Sequence, residues 1–393
     1  MKRVTLFLAL ALSINIHAQT PYKHVERKVL KASYDGVDIG KFKLIEDGEH
    51  LFIFDFSKLR KDARFVVDEY DSDLNFVENK IYSVDNRVMK KMERYSISDV
   101  LVSSDTLFIL LSDVIVIMSP STEAAVIDLS FDASDLICSD IGVLICQNNN
   151  TSNTRKNHPD KVFRIFGSGN IEPICDFELT HRYLLHYQNR NFYEAFKEGV
   201  LFLSPSSPYL SYCRPGEEET ELMQLMEEHN WFTVSNAKRD QYNRLANTDP
   251  HALHTLAGGN LERNISYNVR IDKVDDAKFL ITYFPGKYFA EADFDWRQLL
   301  IELTDDFEIS AKKEFRHNSG QSHVRDTVNN TLRFNFHDYD RDTFCYLNGK
   351  RYQLVIEPHA DHSDDKADRI KREQNISFIK NEYDLCIYSS KLE

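Results

Sequence analysis

DTLFILLSDVIVIMSP, residues 105–120, places ten large apolar side chains in sixteen positions of an otherwise acidic chain. A membrane helix here would bury Asp113 near the bilayer centre at a cost of about 2.5 to 3.5 kcal/mol, with too few apolar residues to offset it. Two β-branched and aliphatic runs, 106–111 and 114–118, instead flank a Ser-Asp pair, which is typical of two strands joined by a turn. The stretch therefore predicts a β-hairpin.

This hairpin belongs to a repeated unit. Strand-like segments precede it at 97–105 and follow it at 123–130, so four short strands stand in a row. The same pattern recurs at intervals of 49, 48, 47, 90 and 45 residues, with third strands beginning near Phe65, Val114, Val162, Tyr209, Leu299 and Phe344. A period of about 40 to 50 residues with four strands per unit indicates a β-propeller, whereas a β-sandwich predicts no fixed period.

The predicted fold is therefore all-β, a β-propeller of four-stranded blades. First and second strands are expected at 41–56, 97–111, 135–147, 193–204, 268–284, 323–337 and 376–389. These seven pairs favour seven blades, with six as the alternative if 376–389 or 193–204 is misread. A lone strand-like segment at 24–34 is expected to complete the last blade and close the ring, which removes an exposed sheet edge.

Short phrases in the strands carry a resemblance to a known group. Residues 105–109 (DTLFI) carry a D-x-L-φ-φ second-strand phrase, where φ is apolar, and 383–387 (YDLCI) carry a similar phrase in which Asp384 directly precedes Leu385. Gly167-Ser168-Gly169 fits a tight turn. In these phrases the chain resembles the exported bacterial β-propeller repeat proteins over roughly residues 25–390. The resemblance implies an architecture and no catalytic residue.

The N-terminus has the pattern of a secretory signal peptide, predicted over residues 1–18. Lys2 and Arg3 precede an apolar run that is too short to span a membrane, and small residues mark a cleavage site before Gln19. The mature chain, 19–393, is then expected to be a single propeller domain with a helical insertion at about 217–266. We predict a periplasmic or extracellular monomer without a membrane span.

The chain is acidic, with a formal net charge of -14 that becomes -16 without Lys2 and Arg3. Such a surface repels phosphate backbones, so nucleic acid is not expected as a partner. The six cysteines of an exported chain raise the question of disulfides. Because Cys175, Cys213, Cys345 and Cys386 each fall in a strand of a different blade position, the sequence favours buried free thiols.

The insertion has a helical pattern where the rest of the chain does not. Apolar residues at three- and four-residue spacing over 217–230 predict an amphipathic helix, with Leu222, Leu225 and Met226 on one face. A further helix is expected after an N-cap at Ser235 or Asn236, ending before Pro250.

Loop lengths indicate which surface carries function. In an up-and-down propeller, second-to-third and blade-to-blade connections share one end, and the long segments 147–160, 226–266, 284–296 and 357–374 all belong to that set. Loops on a rigid scaffold often carry function, so we predict a recognition or scaffold propeller that binds a partner protein or a glycan there. The predicted ligand-binding residues are Trp231, Arg239, Arg244 and Trp296.

A metal-assisted hydrolase or lyase is the alternative function. Imidazoles and carboxylates at His359, Asp361 and His362 suit a divalent cation, the one cofactor that the sequence suggests. Asp293, Asp295, His337 and Asp338 could supply acids and bases from the same end of the fold. The chain contains neither G-x-S-x-G nor H-E-x-x-H, so the sequence leaves open whether it is an enzyme.

Overall fold

A computed structural model gives the fold. The described residues are 22–34, 42–55, 64–84, 88–90, 97–120, 124–147, 160–166, 169–177, 192–217, 220–228, 231–249, 252, 265–286, 296–317, 323–325, 332–335, 343–358 and 383–392. The predicted signal peptide lies outside them. None of the helical segments within these ranges has the length and apolar character of a membrane span.

The described strands form six four-stranded antiparallel sheets, each a propeller blade, and one two-stranded sheet. Blade 1 contains β2 (Phe42–Asp47), β3 (His50–Asp55), β4 (Arg64–Asp71) and β5 (Phe76–Ser83). Blade 2 contains β6 (Asp99–Ser103), β7 (Thr106–Leu111), β8 (Val114–Met118) and β9 (Ala125–Asp128). Blade 3 contains β10 (Ala133–Ser139), β11 (Gly142–Gln147), β12 (Asp160–Phe166) and β13 (Asn170–Phe177).

The remaining strands complete the ring. Blade 4 contains β14 (Tyr193–Phe196), β15 (Gly199–Leu203), β16 (Tyr209–Cys213) and β17 (Glu221–Gln224). Blade 5 contains β18 (Tyr267–Lys273), β19 (Lys278–Phe284), β20 (Trp296–Leu303) and β21 (Ile309–His317). The small sheet pairs β22 (His323–Arg325) with β23 (Leu332–Asn335). Blade 6 contains β24 (Phe344–Leu347), β25 (Lys350–Pro358), β26 (Tyr383–Leu392) and, from the other end of the chain, β1 (Tyr22–Tyr34).

The opening stretch forms the predicted hairpin. β7 pairs with β8 from Leu107 opposite Met118 to Leu111 opposite Val114. Their side chains are buried on both faces of the sheet, since Leu107, Ile109 and Leu111 are fully buried and so is Ile115. Burial between two neighbouring blades therefore explains the nearly continuous apolar run without any contact with lipid.

An N-terminal strand closes the ring, as the sequence predicts. β1 pairs with β26 from Tyr22 opposite Leu392 to Tyr34 opposite Tyr383, and the blade order is β1-β26-β25-β24. Leu30 of β1 packs into a cluster that also contains Phe42 of blade 1 and Leu385 of blade 6. The two ends of the chain are thus held in one sheet.

The described residues form six blades, the alternative count, because the last units of the chain pair differently from the sequence prediction. Residues 344–358, predicted as third and fourth strands, are the first two strands of blade 6. The predicted seventh pair at 376–389 supplies only its third strand, β26, and the predicted pair at 323–337 forms the separate two-stranded sheet. An apolar run, a tight turn and a second apolar run look alike in both halves of a blade, so only the pairing distinguishes them.

Within the described residues, the helical part of the insertion begins later than the sequence pattern predicts. Helix α1 (Asn236–Thr248) begins after Ser235 as expected, although the Ser235 side chain makes no capping hydrogen bond. Residues 221–224, which lie within the amphipathic helix predicted over 217–230, form β17 and pair with β16. Edge pairing against β16 outweighs the three- and four-residue spacing of a short segment.

A disulfide joins Cys175 of β13 to Cys213 of β16, with the two Cα atoms 6.0 Å apart. The prediction that both are free thiols is therefore wrong. Neighbouring blades pack face to face, which brings an outer strand of blade 3 within bridging distance of the third strand of blade 4. Cys138, Cys146, Cys345 and Cys386 are not disulfide-bonded.

Candidate functional site

The two ends of the propeller differ in the length of their connections. First-to-second and third-to-fourth turns lie at one end, here called the short-turn face, and the longest described between paired strands is 214–220 in blade 4. The other end, here called the long-loop face, carries the connections 148–159, 225–266, 285–295 and 359–382. The topology therefore places all four long segments at one end, as predicted from the sequence.

The 225–266 insertion is anchored to the long-loop face by Trp231. This ring is only 7% exposed, its indole N–H donates to the Ser206 carbonyl at 2.8 Å, and its centroid lies 6.4 Å from that of Tyr283. Trp231 thus contacts blades 4 and 5 from within the core. A direct contact with ligand, as predicted from the sequence, would require the ring to leave this site, so Trp231 is a structural anchor.

The two ends of the insertion are bonded to each other and to blade 5. Phe232 N–H donates to Ser266 Oγ at 2.9 Å, and Ser266 N–H donates to the Phe232 carbonyl at 2.7 Å. Ser266 Oγ also donates to the Pro285 carbonyl at 2.6 Å. Gly286 allows this approach, because its φ of +69° is left-handed and a Cβ there would lie 2.6 to 2.8 Å from the backbone of Ile265 and Ser266. The base of the insertion is therefore rigid.

Helix α1 follows this rigid base along the chain and carries an excess of positive charge. The helix contains three basic residues, Lys238, Arg239 and Arg244, and one acidic residue, Asp240, whereas the whole protein has a net charge of -14. Lys238 and Arg244 are exposed, and Arg239 is half-buried with Asp240 at 3.5 Å. No acid lies in the first turn to compensate the helix dipole. This helix therefore offers a cationic surface on an acidic protein.

Other predicted site residues fall outside what the structure describes. Trp296 is the first residue of β20 and lies opposite His317 in the strand register, but its side chain lies outside the described part of the structure. The predicted metal ligands His359, Asp361 and His362 lie outside the described residues, as do Asp293, Asp295, His337 and Asp338. Among the residues that are described, no group of three or more His, Cys, Asp or Glu side chains could hold a metal ion.

A cavity of about 690 Å³ runs along the propeller axis, and we call it the central channel. The first strands of all six blades line it, namely β2, β6, β10, β14, β18 and β24. Its volume is in the range of small-molecule sites. Eight acidic and four basic side chains contribute to its wall, so it is a charged channel with an excess of carboxylates.

One carboxylate joins three blades at the channel wall. Asp99 of β6 forms an ion pair with Lys43 of β2, and its other oxygen accepts the N–H of Leu136 from β10 at 2.7 Å. The side chain of Asp99 is 2% exposed and that of Lys43 is 12% exposed. This pair therefore fixes blades 1, 2 and 3 relative to one another.

A second charged group lies between blades 5 and 6. The Arg270 Nε atom donates to both carboxylate oxygens of Asp272, at 2.8 and 2.9 Å. The guanidinium groups of Arg270 and Arg351 lie 4.2 and 4.3 Å from the centroid of the Phe344 ring. The Arg270 contact bridges β18 and β24, where blades 5 and 6 meet, and the Arg351 contact joins β25 to β24 within blade 6.

Glu46, near the end of β2, has an environment that favours its neutral form. Burial raises the pKa of Glu46 to about 7, and Asp47 and Asp276 add to the shift while Lys273 opposes it. Burial also raises the pKa of the Cys345 thiol and of the Cys138 thiol, although the hydrogen bond between Cys138 and Ser103 opposes the latter shift. Neither thiol is a ready nucleophile, and Glu46 is the group poised to exchange a proton near neutral pH.

Sequence reasoning missed these channel residues, yet a signal was present. Five of the six first strands, all except β24 (FCYL), carry charges in a short and largely apolar sequence, as in FKLIED of β2 and YNVRIDK of β18. Charges at alternate positions of a strand that is otherwise buried mark a surface facing an internal polar space. Reading the first strands together would have identified the wall of the channel.

Comparisons with known proteins give only distant structural likenesses and no family for this chain. No family model and no curated protein sequence matches the chain. Among solved structures, an aldose sugar dehydrogenase from Streptomyces coelicolor with bound PQQ is similar at 10% identity and a TM-score of 0.35, covering 93% of this chain and 98% of that one. A protein from Lactobacillus plantarum is similar at 7% identity and a TM-score of 0.33, covering 74% and 82%.

An S. cerevisiae assembly of Dbp5 with Nup159, Gle1, IP6 and ADP contains a similar chain at 9% identity and a TM-score of 0.37. The match covers 75% of this chain, which spans 66% of the length of that one. Sequence identities and TM-scores this low support no conclusion about ligand or activity.

Proposed function

We propose that this protein is an exported recognition propeller that binds an acidic partner protein or an acidic glycan on its long-loop face. The observation that carries the proposal is the rigid base of the 225–266 insertion. Trp231 and Ser266 hold both ends of the insertion against blades 4 and 5. The conformational entropy of the insertion base is therefore lost on folding, and ligand binding at α1 does not have to supply that free energy.

The charge of α1 supports an acidic ligand. Lys238 and Arg244 are exposed, and no ion pair among the described residues engages either side chain. Exposed cations on a protein of net charge -14 would attract carboxylate or sulfate groups locally, while the rest of the surface repels them. Binding of this kind is expected to weaken as salt screens the attraction.

Export is supported by the N-terminal signal pattern together with the bridge between Cys175 and Cys213, because stable disulfides are typical of oxidising compartments. Periplasmic and extracellular sites both satisfy this condition. A metal-assisted reaction remains a prediction from His359, Asp361 and His362.

A binding screen tests the recognition proposal. The mature chain is screened against glycan and peptide arrays, and the strongest ligand is then titrated against single-residue variants. Arg244→Ala is expected to weaken binding about thirtyfold if Arg244 is an interface hot spot. The matched control is Arg214→Ala, which removes an arginine of the same blade region from a turn on the short-turn face.

The control variant should retain wild-type affinity, since Arg214 forms exposed ion pairs with Glu217 and Glu221 and lies over the Tyr212 ring, all at the short-turn face. A loss of binding in Arg214→Ala with full binding in Arg244→Ala would place the interface at the opposite end of the propeller. A strongest ligand that is cationic would also contradict the proposal.

A further inference from the structure

Each of the four cationic side chains in the wall of the central channel already forms an ion pair with a carboxylate. Lys43 pairs with Asp99, and Arg270 pairs with Asp272. Lys273 pairs with Asp276 at 3.2 Å. The fourth channel cation, Lys197, pairs with Asp305, which is not part of the channel wall. An incoming anion would therefore have to displace an existing partner.

Two carboxylates at the short-turn end of the channel have no ion-pair partner among the described residues. Glu46 lies one residue before the end of β2, and no ion pair or hydrogen bond among the described residues engages its carboxylate. Asp47 accepts the N–H of Ser104 but has no cation within ion-pair distance in the described structure, and Asp140 contributes to the same wall. This end of the channel thus has negative charge without matching positive charge.

We propose that the central channel binds a small aliphatic amine, whose ammonium group pairs with Glu46 at the short-turn end. The cavity volume of about 690 Å³ accommodates such a ligand, and the inner strands of six blades preform the site. An ammonium group would supply the positive charge that this part of the wall lacks. The electrostatic attraction between the two charges is stronger there than in bulk water, because the effective dielectric constant inside a protein is lower. This site is separate from the long-loop face, and either proposal can fail alone.

The state of Glu46 makes binding depend on pH. Its pKa of about 7 means that about one-tenth of the carboxylate is ionised at pH 6 and about nine-tenths at pH 8. Only the ionised form pairs with an ammonium group, so the affinity should rise about tenfold over this window. The amine itself stays protonated, since aliphatic amines titrate near 10.

The groups that face Glu46 come from β2, β18, β10 and β24. They are Asp47 on its own strand, Lys273 and Asp276 from blade 5, Cys138 from blade 3 and Cys345 from blade 6. Burial lowers the pKa of Lys273, but its hydrogen bond to Asp276 and the nearby carboxylates raise it overall. Both thiols have raised pKa values, so Lys273 stays charged and the thiols stay neutral between pH 6 and 8.

Calorimetric titration with three four-carbon probes tests the proposal on the full mature chain. The probes are 1,4-diaminobutane, 1,4-butanediol and succinate, which have cationic, neutral and anionic ends. The diamine should bind and succinate should not, and the affinity for the diamine should rise about tenfold from pH 6 to pH 8. Equal binding of the diol would show that charge does not drive recognition, and binding of succinate would overturn the proposal.

Variants locate the site within the channel. Glu46→Gln keeps the shape of the side chain and should weaken diamine binding at pH 8 by about tenfold or more, while removing the rise between pH 6 and 8. The matched control Glu78→Gln changes an exposed carboxylate on β5 of the same blade and should leave both quantities unchanged.

Two results would overturn the site. One is wild-type binding by a folded Glu46→Gln, as judged by its melting temperature. The other is an absence of pH dependence in the wild type, which needs no variant. Calcium is titrated as a further probe, and calcium binding that excludes the diamine would assign the channel to a metal ion instead.

Discussion

Replacing Asp99 by alanine is expected to lower the apparent free energy of unfolding by about 2 to 4 kcal/mol. The substitution removes the ion pair between Asp99 and Lys43, whose side chain is 12% exposed, and it removes the acceptor of the Leu136 N–H. Breaking a buried ion pair by removing one partner typically costs about 3 to 5 kcal/mol. The expected loss is smaller here because the Lys43 side chain lines the channel, where its charge can be solvated. Denaturant unfolding of the two proteins measures the difference.

Two further variants separate the charge from the hydrogen bond. Asp99→Asn keeps a side-chain oxygen for the Leu136 N–H but removes the negative charge that pairs with Lys43, so its cost should be smaller than that of alanine. The control Asp128→Ala removes an exposed acid from β9 of the same blade and should change stability by no more than about 0.5 kcal/mol. If Asp99→Ala behaves like the control, Asp99 does not hold the three blades together.

The ring arrangement could be predicted from the sequence because its signal is periodic. The hairpin at 106–118, the repeat interval and the lone strand at 24–34 each follow from patterns that act over a few residues or recur along the chain. The blade count was harder, since the Asn348–Gly349 turn fits either half of a blade. Its assignment depends on β26, which pairs with β25 across a connection of more than twenty residues.

The pairing of charged side chains along the channel depends on contacts that no local pattern shows. Lys43 and Asp99 are 56 residues apart, and they meet only because first strands of consecutive blades lie side by side around the axis. Trp231 is a similar case, since an isolated tryptophan in a long insertion resembles a ligand contact until its hydrogen bond to Ser206 is known. Sequence patterns identify elements, whereas the partners of individual polar groups follow from the tertiary arrangement.

The disulfide should contribute about 4 kcal/mol of stability. Cys175 and Cys213 are 38 residues apart, and closing a loop of that length restricts the unfolded chain by about this amount in the chain-entropy model. The test is the double variant Cys175→Ala/Cys213→Ala, with alanine preferred to serine because both positions are 4% exposed and a buried hydroxyl adds its own cost. The control Cys138→Ala removes a half-buried free thiol and should have a much smaller effect.

Thiol counting gives an independent measurement of the same bond. Titration of the denatured, non-reduced wild type should find four thiols, Cys138, Cys146, Cys345 and Cys386, and six after reduction. A reducing agent should lower the stability of the wild type toward that of the double variant and leave the double variant unchanged. Six thiols before reduction would show that the bridge does not form, and the support that it lends to export would go with it, because the face-to-face packing of blades 3 and 4 alone requires no oxidising compartment.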